Sequence, residues 1–68
     1  MADYWEVHFE ILDNDGNSLS VGQLAKSYKR KGYAERVGKE FCDGLCNSAV
    51  ARAHYWLVGR EFRRYNNG

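Results

Sequence analysis

The sequence predicts a small α+β domain in which an antiparallel β-sheet packs against one amphipathic helix. Three observations support this class. Residues 4–12 alternate between apolar and polar side chains, residues 33–47 carry an apolar stripe at helical spacing, and residues 55–58 favour strands. With 68 residues, the chain makes one domain (1–68). A domain of this size buries only about 60% of its unfolded surface, so we expect a monomer or a homodimer.

The first element is a half-buried strand followed by a hairpin turn. Its inner face is predicted to carry Trp5, Val7, Phe9 and Ile11, and its outer face Glu6, His8 and Glu10. The segment 13–17 then contains Asp-Gly, a strong hairpin signal when strand-like sequence flanks it. A second strand is therefore expected from about Asn17.

Residues 20–31 allow two interpretations. Ser20 to Gln23 fit a capping box that would start a short helix, with Leu24, Ala25 and Tyr28 as its stripe. Alternatively, the second strand continues and exposes Lys26, Tyr28 and Arg30. The segment is polar enough for an edge or a loop in either case.

The clearest helix covers residues 33–47. Its apolar stripe comprises Tyr33, Ala34, Val37, Gly38, Phe41, Cys42, Leu45 and Cys46, and charged residues occupy the opposite face. Gly38 on the buried side would allow the helix to approach the sheet closely.

Residues 49–65 fit either a helix or a hairpin. Apolar residues recur at helical spacing, but the run from Tyr55 to Val58 has high β-propensity, and Gly59-Arg60 suits a type II′ turn. We favour the hairpin, which would pair Leu57 with Phe62, Trp56 with Arg63 and Tyr55 with Arg64. The alternative fold is an N-terminal hairpin followed by two or three helices.

Charge is segregated along the chain. Residues 1–20 contain five acidic residues and no Lys or Arg, a charge of −5, whereas residues 21–68 contain ten basic and four acidic residues, a charge of +6. The net charge of +1 conceals this division. Such a layout is typical of a molecule that acts through its surface field.

The motifs that carry chemistry are weak, so we expect no enzyme, no metal and no cofactor. The segment 13–17 resembles the start of a calcium loop, but Leu24 stands where a bidentate Glu is needed. Cys42, Cys46, His8 and His54 are the ligand types of structural zinc without its spacing. A Cys42–His54 dyad would need a reactive thiol, whereas Cys42 falls on the predicted buried stripe.

Two functions from different classes remain. The first is a small interaction protein that regulates or inhibits a larger protein, of a size common in phage and mobile-element genomes, docking through its acidic strand (Glu6, Glu10, Asp13, Asp15). The second is a nucleic-acid-binding protein that uses a basic–aromatic set (Lys29, Arg30, Lys31, Trp56, Arg60, Arg63, Arg64). Because the net charge is close to zero, we favour the protein partner.

The remaining expectations concern the compartment. No run of about 18 apolar residues is present, and the N-terminal residues lack the basic and apolar regions of a signal peptide. Two cysteines are too few for a disulfide scaffold. We therefore expect a cytoplasmic protein that does not bind membranes.

Overall fold

The computed structural model describes residues 2–46 and 52–62. Within them the elements run β1 (Tyr4–Leu12), β2 (Ser18–Tyr28), α1 (Lys31–Cys46) and β3 (Arg52–Arg60). The strands form one antiparallel sheet in the order β2-β1-β3, and α1 packs on one of its faces. The predicted α+β class with one helix is therefore confirmed, and the alternative with two or three helices is wrong for the described residues.

The β1–β2 turn is held by one carboxylate. Asp13 Oδ1 accepts hydrogen bonds from the backbone N–H groups of Asp15 and Asn17, both at 2.9 Å, and the Gly16 N–H donates to the Asp13 carbonyl at 3.1 Å. Gly16 has φ +86°, a left-handed conformation that glycine adopts without steric cost. The predicted hairpin is thus present, with local hydrogen bonds occupying the acidic side chain that resembled a calcium ligand.

β2 continues as a strand through the segment that allowed two interpretations. Ser20 pairs with Ile11 and Gly22 with Phe9, so the short helix predicted from the capping box is wrong. β1 pairs with Ser20 to Gln23 and again with Ser27 and Tyr28, and Tyr28 is half-buried instead of exposed. A short helix is stable only when its apolar face packs against the rest of the protein. An apolar stripe of one turn would bury too little surface for that.

Residues 52–60 form one strand, β3, and the predicted turn at Gly59-Arg60 is wrong. Gly59 pairs with Trp5 and Arg60 with Tyr4, so β3 runs straight through both positions beside β1. Leu57 pairs with Val7 instead of Phe62. The partners predicted for Trp56 and Tyr55, Arg63 and Arg64, lie outside the described residues; in the structure Trp56 pairs with His8 and Tyr55 with Phe9.

The helix covers the predicted inner face of β1. Ala34, Gly38 and Cys42 are its buried residues, and the Phe41 ring lies 4.8 Å from the Phe9 ring between centroids. Val7, at the centre of the sheet, is fully buried. The buried stripe is narrower than predicted, because Tyr33 and Cys46 are exposed at its margins.

Candidate functional site

The face of the sheet opposite α1, here called the open face, is the candidate site. Paired residues of an antiparallel sheet point to the same side, so the register assigns its members. They are Tyr4, Glu6, His8, Glu10 and Leu12 on β1, Arg52, His54, Trp56, Val58 and Arg60 on β3, and Ser18, Val21, Gln23 and Ser27 on β2. None of the described elements covers this face.

Trp56 lies between two histidines at the centre of the β1–β3 pair. Its ring is 6.0 Å from the His8 imidazole and 5.7 Å from the His54 imidazole, with interplanar angles of 31° and 37°. Trp56 is 39% exposed despite these neighbours. The three rings form a continuous aromatic surface, which we call the Trp56 platform.

The Glu6 carboxylate is neutralised by its neighbours. Glu6 Oε1 lies 3.0 Å from His8 Nε2 and accepts a hydrogen bond from Arg60 Nε at 3.1 Å, and the side chain is 17% exposed. The His8 hydrogen bond, followed by that of Arg60, lowers the pKa of Glu6 below its ordinary value. The group is therefore ionised at neutral pH, with its charge largely matched by its own chain.

Glu10 has an equivalent arrangement one step along β1. Its Oε1 lies 2.8 Å from His54 Nε2 across the strand pair. The His54 hydrogen bond, and then that of the Ser18 hydroxyl, lowers the pKa of Glu10. The outer-face placement of Glu6 and Glu10 is as predicted, but both carboxylates already have partners within the chain.

The other two acidic candidates lie in the β1–β2 turn, beside the end of the sheet where Leu12 pairs with Ser18 and Arg52. Hydrogen bonds from the backbone of Asn17, and then from Asp15, lower the pKa of Asp13, whose role in the turn is structural. Asp15 is exposed. The four acidic candidates thus divide between the open face and one end of the sheet.

The basic candidates are divided as well. Lys29 lies at the end of the sheet where β1 begins, on the same side as Tyr4 and Glu6. Lys31 lies on the covered side, with its Nζ 5.3 Å from the centre of the Trp5 ring. Arg30 is exposed between them, and Arg60 is on the open face. Arg63 and Arg64 lie outside the described residues.

The structure also contains a cleft at the end of the sheet where β1 begins, which the sequence did not predict. Gln23 pairs with His8 and Ser27 with Glu6, which leaves residues 24–26 opposite Val7 alone. This irregularity opens a cleft of about 390 Å³ lined by Tyr4, Glu6, residues 23–29 and Phe62. The pattern of apolar and polar residues in β2 does not indicate that it contains two residues more than regular pairing with β1 requires. Phe62 reaches the cleft only because β3, which precedes it, pairs with the distant strand β1.

The thiols and imidazoles do not converge. Cys42 is buried on the side of α1 that faces the sheet, and burial raises the pKa of its thiol. His8 and His54 lie on the open face, so the sheet separates them from Cys42, and neither the zinc set nor the Cys42–His54 dyad is assembled. Among residues 2–46 and 52–62, no group of three or more His, Cys, Asp or Glu is placed to hold a metal ion.

Comparison with protein-family models, with curated proteins and with solved structures gave no match to this chain. In the described part of the chain, the helix is too short and too polar to cross a membrane.

Proposed function

We propose that this chain is a small, non-catalytic cytoplasmic protein that binds, and thereby regulates or inhibits, a larger protein through its open face. The observation that carries this proposal is the Trp56 platform, a part-exposed tryptophan at the centre of an uncovered sheet face. Tryptophan is among the residues that most often dominate binding energy when they lie at the centre of an interface.

The electrostatics of the face favour a protein partner. Because His8, Arg60 and His54 already bond Glu6 and Glu10, docking an apolar surface here leaves no isolated carboxylate without a hydrogen bond. The same face also carries Val21, opposite Glu10, which is 62% exposed. An apolar centre bordered by satisfied polar groups is the usual composition of a protein interface.

A nucleic-acid partner is the second candidate, because the Trp56 ring could stack on a base while Arg60 contacts a phosphate. Arg60 already donates a hydrogen bond to Glu6 at 3.1 Å, so a phosphate at this position would have to compete with that carboxylate. The protein partner therefore accounts for more of the surface.

The test uses two variants that each remove one exposed aromatic ring from opposite sides of the sheet. Wild type, Trp56→Ser and the control Tyr33→Ser serve as baits for affinity capture from lysate of the source cells. We expect a protein retained by wild type and Tyr33→Ser but lost with Trp56→Ser. Purified and titrated, that protein should bind Trp56→Ser at least about tenfold more weakly, as expected for loss of a central interface tryptophan.

Two results would contradict the proposal. One is equal retention of every captured protein by all three baits, provided that circular dichroism shows them to be folded. The other comes from fluorescence anisotropy with labelled single-stranded RNA, single-stranded DNA and duplex DNA at about 50 and 200 mM salt. Tight binding that weakens steeply with salt and is lost in Trp56→Ser would assign the face to nucleic acid.

A further inference from the structure

We infer that the cleft between β2 and the Tyr4–Phe62 ring pair binds a short acidic segment of the partner, with one aromatic or large aliphatic side chain of that segment inserted between the strands. This inference rests on the proposed function and adds to it the chemistry of the bound segment. It uses a different part of the open face from the Trp56 platform.

The apolar wall of the cleft is already held in place before anything binds. The Tyr4 and Phe62 rings lie 5.3 Å apart between centroids. The Phe62 N–H donates a hydrogen bond to Asp3 Oδ2 at 2.8 Å, and the Asp3 N–H donates to the Arg60 carbonyl at 2.8 Å. Phe62 is nevertheless 57% exposed. A preorganised aromatic wall reduces the entropy lost when a side chain is inserted against it.

The opposite wall comes from the irregular part of β2. Residues 24–26 project beyond the regular pairing, with the half-buried Leu24 among the lining residues. Lys26 and Lys29 are exposed along the same wall. Apolar groups and two ammonium groups therefore line the cleft together, a combination that suits an apolar side chain flanked by carboxylates.

Charge at this end of the sheet has one predominant sign. The described residues there comprise five cations (Lys26, Lys29, Arg30, Lys31, Arg60) and three acids (Asp3, Glu6, Glu61); Lys31 lies on the covered side and Arg60 is bonded to Glu6, so Lys26 and Lys29 are the cations that line the cleft. Two of the acids are bonded within the chain, Asp3 to the Phe62 backbone and Glu6 to His8 and Arg60. The first turn of α1 contains no acidic residue, so the positive end of the helix dipole adds to the same field.

A peptide accounts for these features better than a polynucleotide. The cations lie mainly on the β2 wall and around the start of α1, whereas Glu6 lines the cleft floor beside Tyr4. A regular series of phosphates would pass close to Glu6. A peptide can place its carboxylates against Lys26 and Lys29 and its apolar side chain beside the rings.

The test selects random dodecapeptides displayed on phage against the wild-type protein. We expect enriched peptides that combine Asp or Glu with one Phe, Trp, Tyr, Leu or Ile. The best peptide, synthesised with a fluorescent label, should bind Lys29→Glu about tenfold or more weakly, because reversing one rim charge turns attraction into repulsion. The matched control Lys39→Glu, on the outer face of α1, should bind within about twofold of wild type.

Three outcomes would overturn the inference: no enrichment, enrichment of peptides without acidic residues, or equal losses in Lys29→Glu and Lys39→Glu. Displacement of the peptide by decathymidylate at lower concentrations than by unlabelled peptide would assign the cleft to nucleic acid instead. Trp56→Ser should retain the peptide, because Trp56 is not among the lining residues. If selection fails while Trp56→Ser still loses the captured protein, the cleft assignment falls and the proposed function stands.

Discussion

Replacing Gly38 by alanine is expected to destabilise the protein, although alanine is the better helix former. A Cβ atom built on Gly38 lies 2.5 Å from Tyr55 Cδ2 and 2.8 Å from both Cγ and Cε2. Carbon atoms in contact normally sit about 3.5–4.0 Å apart, so the ring or the helix must move by about 1 Å. Tyr55 Cγ is fixed close to the backbone of β3, which leaves the side chain little freedom to yield.

Gly44 provides the matched control within the same helix. A Cβ there meets no described atom within 4 Å, and the residue is exposed. Gly44→Ala should therefore stabilise the protein by about 0.8–1 kcal/mol through helix propensity alone. The same gain applies at Gly38, where overpacking opposes it with a cost of about 1–3 kcal/mol. The propensity gain cancels between the two variants, so their stabilities should differ by about 1–3 kcal/mol.

Urea denaturation followed by circular dichroism measures this difference. With a urea m-value of about 1 kcal/mol/M for a small domain, the two midpoints should be separated by about 1–3 M. The separation should shrink in a Tyr55→Leu background, because the ring that the new methyl group meets is gone. If Gly38→Ala and Gly44→Ala, each with Tyr55 retained, have urea midpoints within about 0.5 M of each other, the close packing of α1 on β3 is refuted.

Substitutions at three further positions test other parts of the fold. Val7→Ala removes two methyl groups from a fully buried site and should cost about 2 kcal/mol in urea denaturation; a loss below about 0.5 kcal/mol would argue against a core centred on β1. Gly16→Ala forces an L side chain into φ +86° and should lower stability by about 1 kcal/mol, whereas Gly16→Asn should cost less; equal effects would place the turn in another conformation. Because the pKa of Glu10 is lowered in the folded state, its contribution to stability is present above about pH 4.5 and is lost as the pH falls below that value. Glu10→Gln should therefore lose less stability than wild type between about pH 5 and 3, and parallel losses in thermal denaturation would contradict the His54 hydrogen bond.

The sequence correctly predicts the elements that are defined by a local hydrogen-bonded turn or by a regular alternation of apolar and polar residues. The alternation of β1, the Asp-Gly turn and the apolar stripe of α1 each appear in the structure nearly where the sequence predicts them. Gly38 also faces the sheet at close range, as its place in the stripe suggested.

The errors arose where a local signal competed with a distant strand. Gly59-Arg60 is a good turn sequence, yet Trp5 and Tyr4 lie beside it and extend the ladder. Pairing of this kind depends on residues more than fifty positions away, which no window of sequence contains. The cleft was missed for the same reason, since it needs both the irregular pairing of β2 and the placement of Phe62 beside Tyr4.

The order of the strands also affects how the chain can fold while it is being synthesised. β1 lies at the centre of the sheet but is translated first, and its partner β3 is translated last of the four elements. At about 5–20 residues per second, several seconds separate the appearance of Trp5 from that of Gly59, with which it pairs. Until β3 docks, the β1–β2 hairpin exposes the edge that β3 occupies in the native sheet, and that edge is open to pairing with another chain. Partly folded chains are therefore expected to aggregate more readily than native ones.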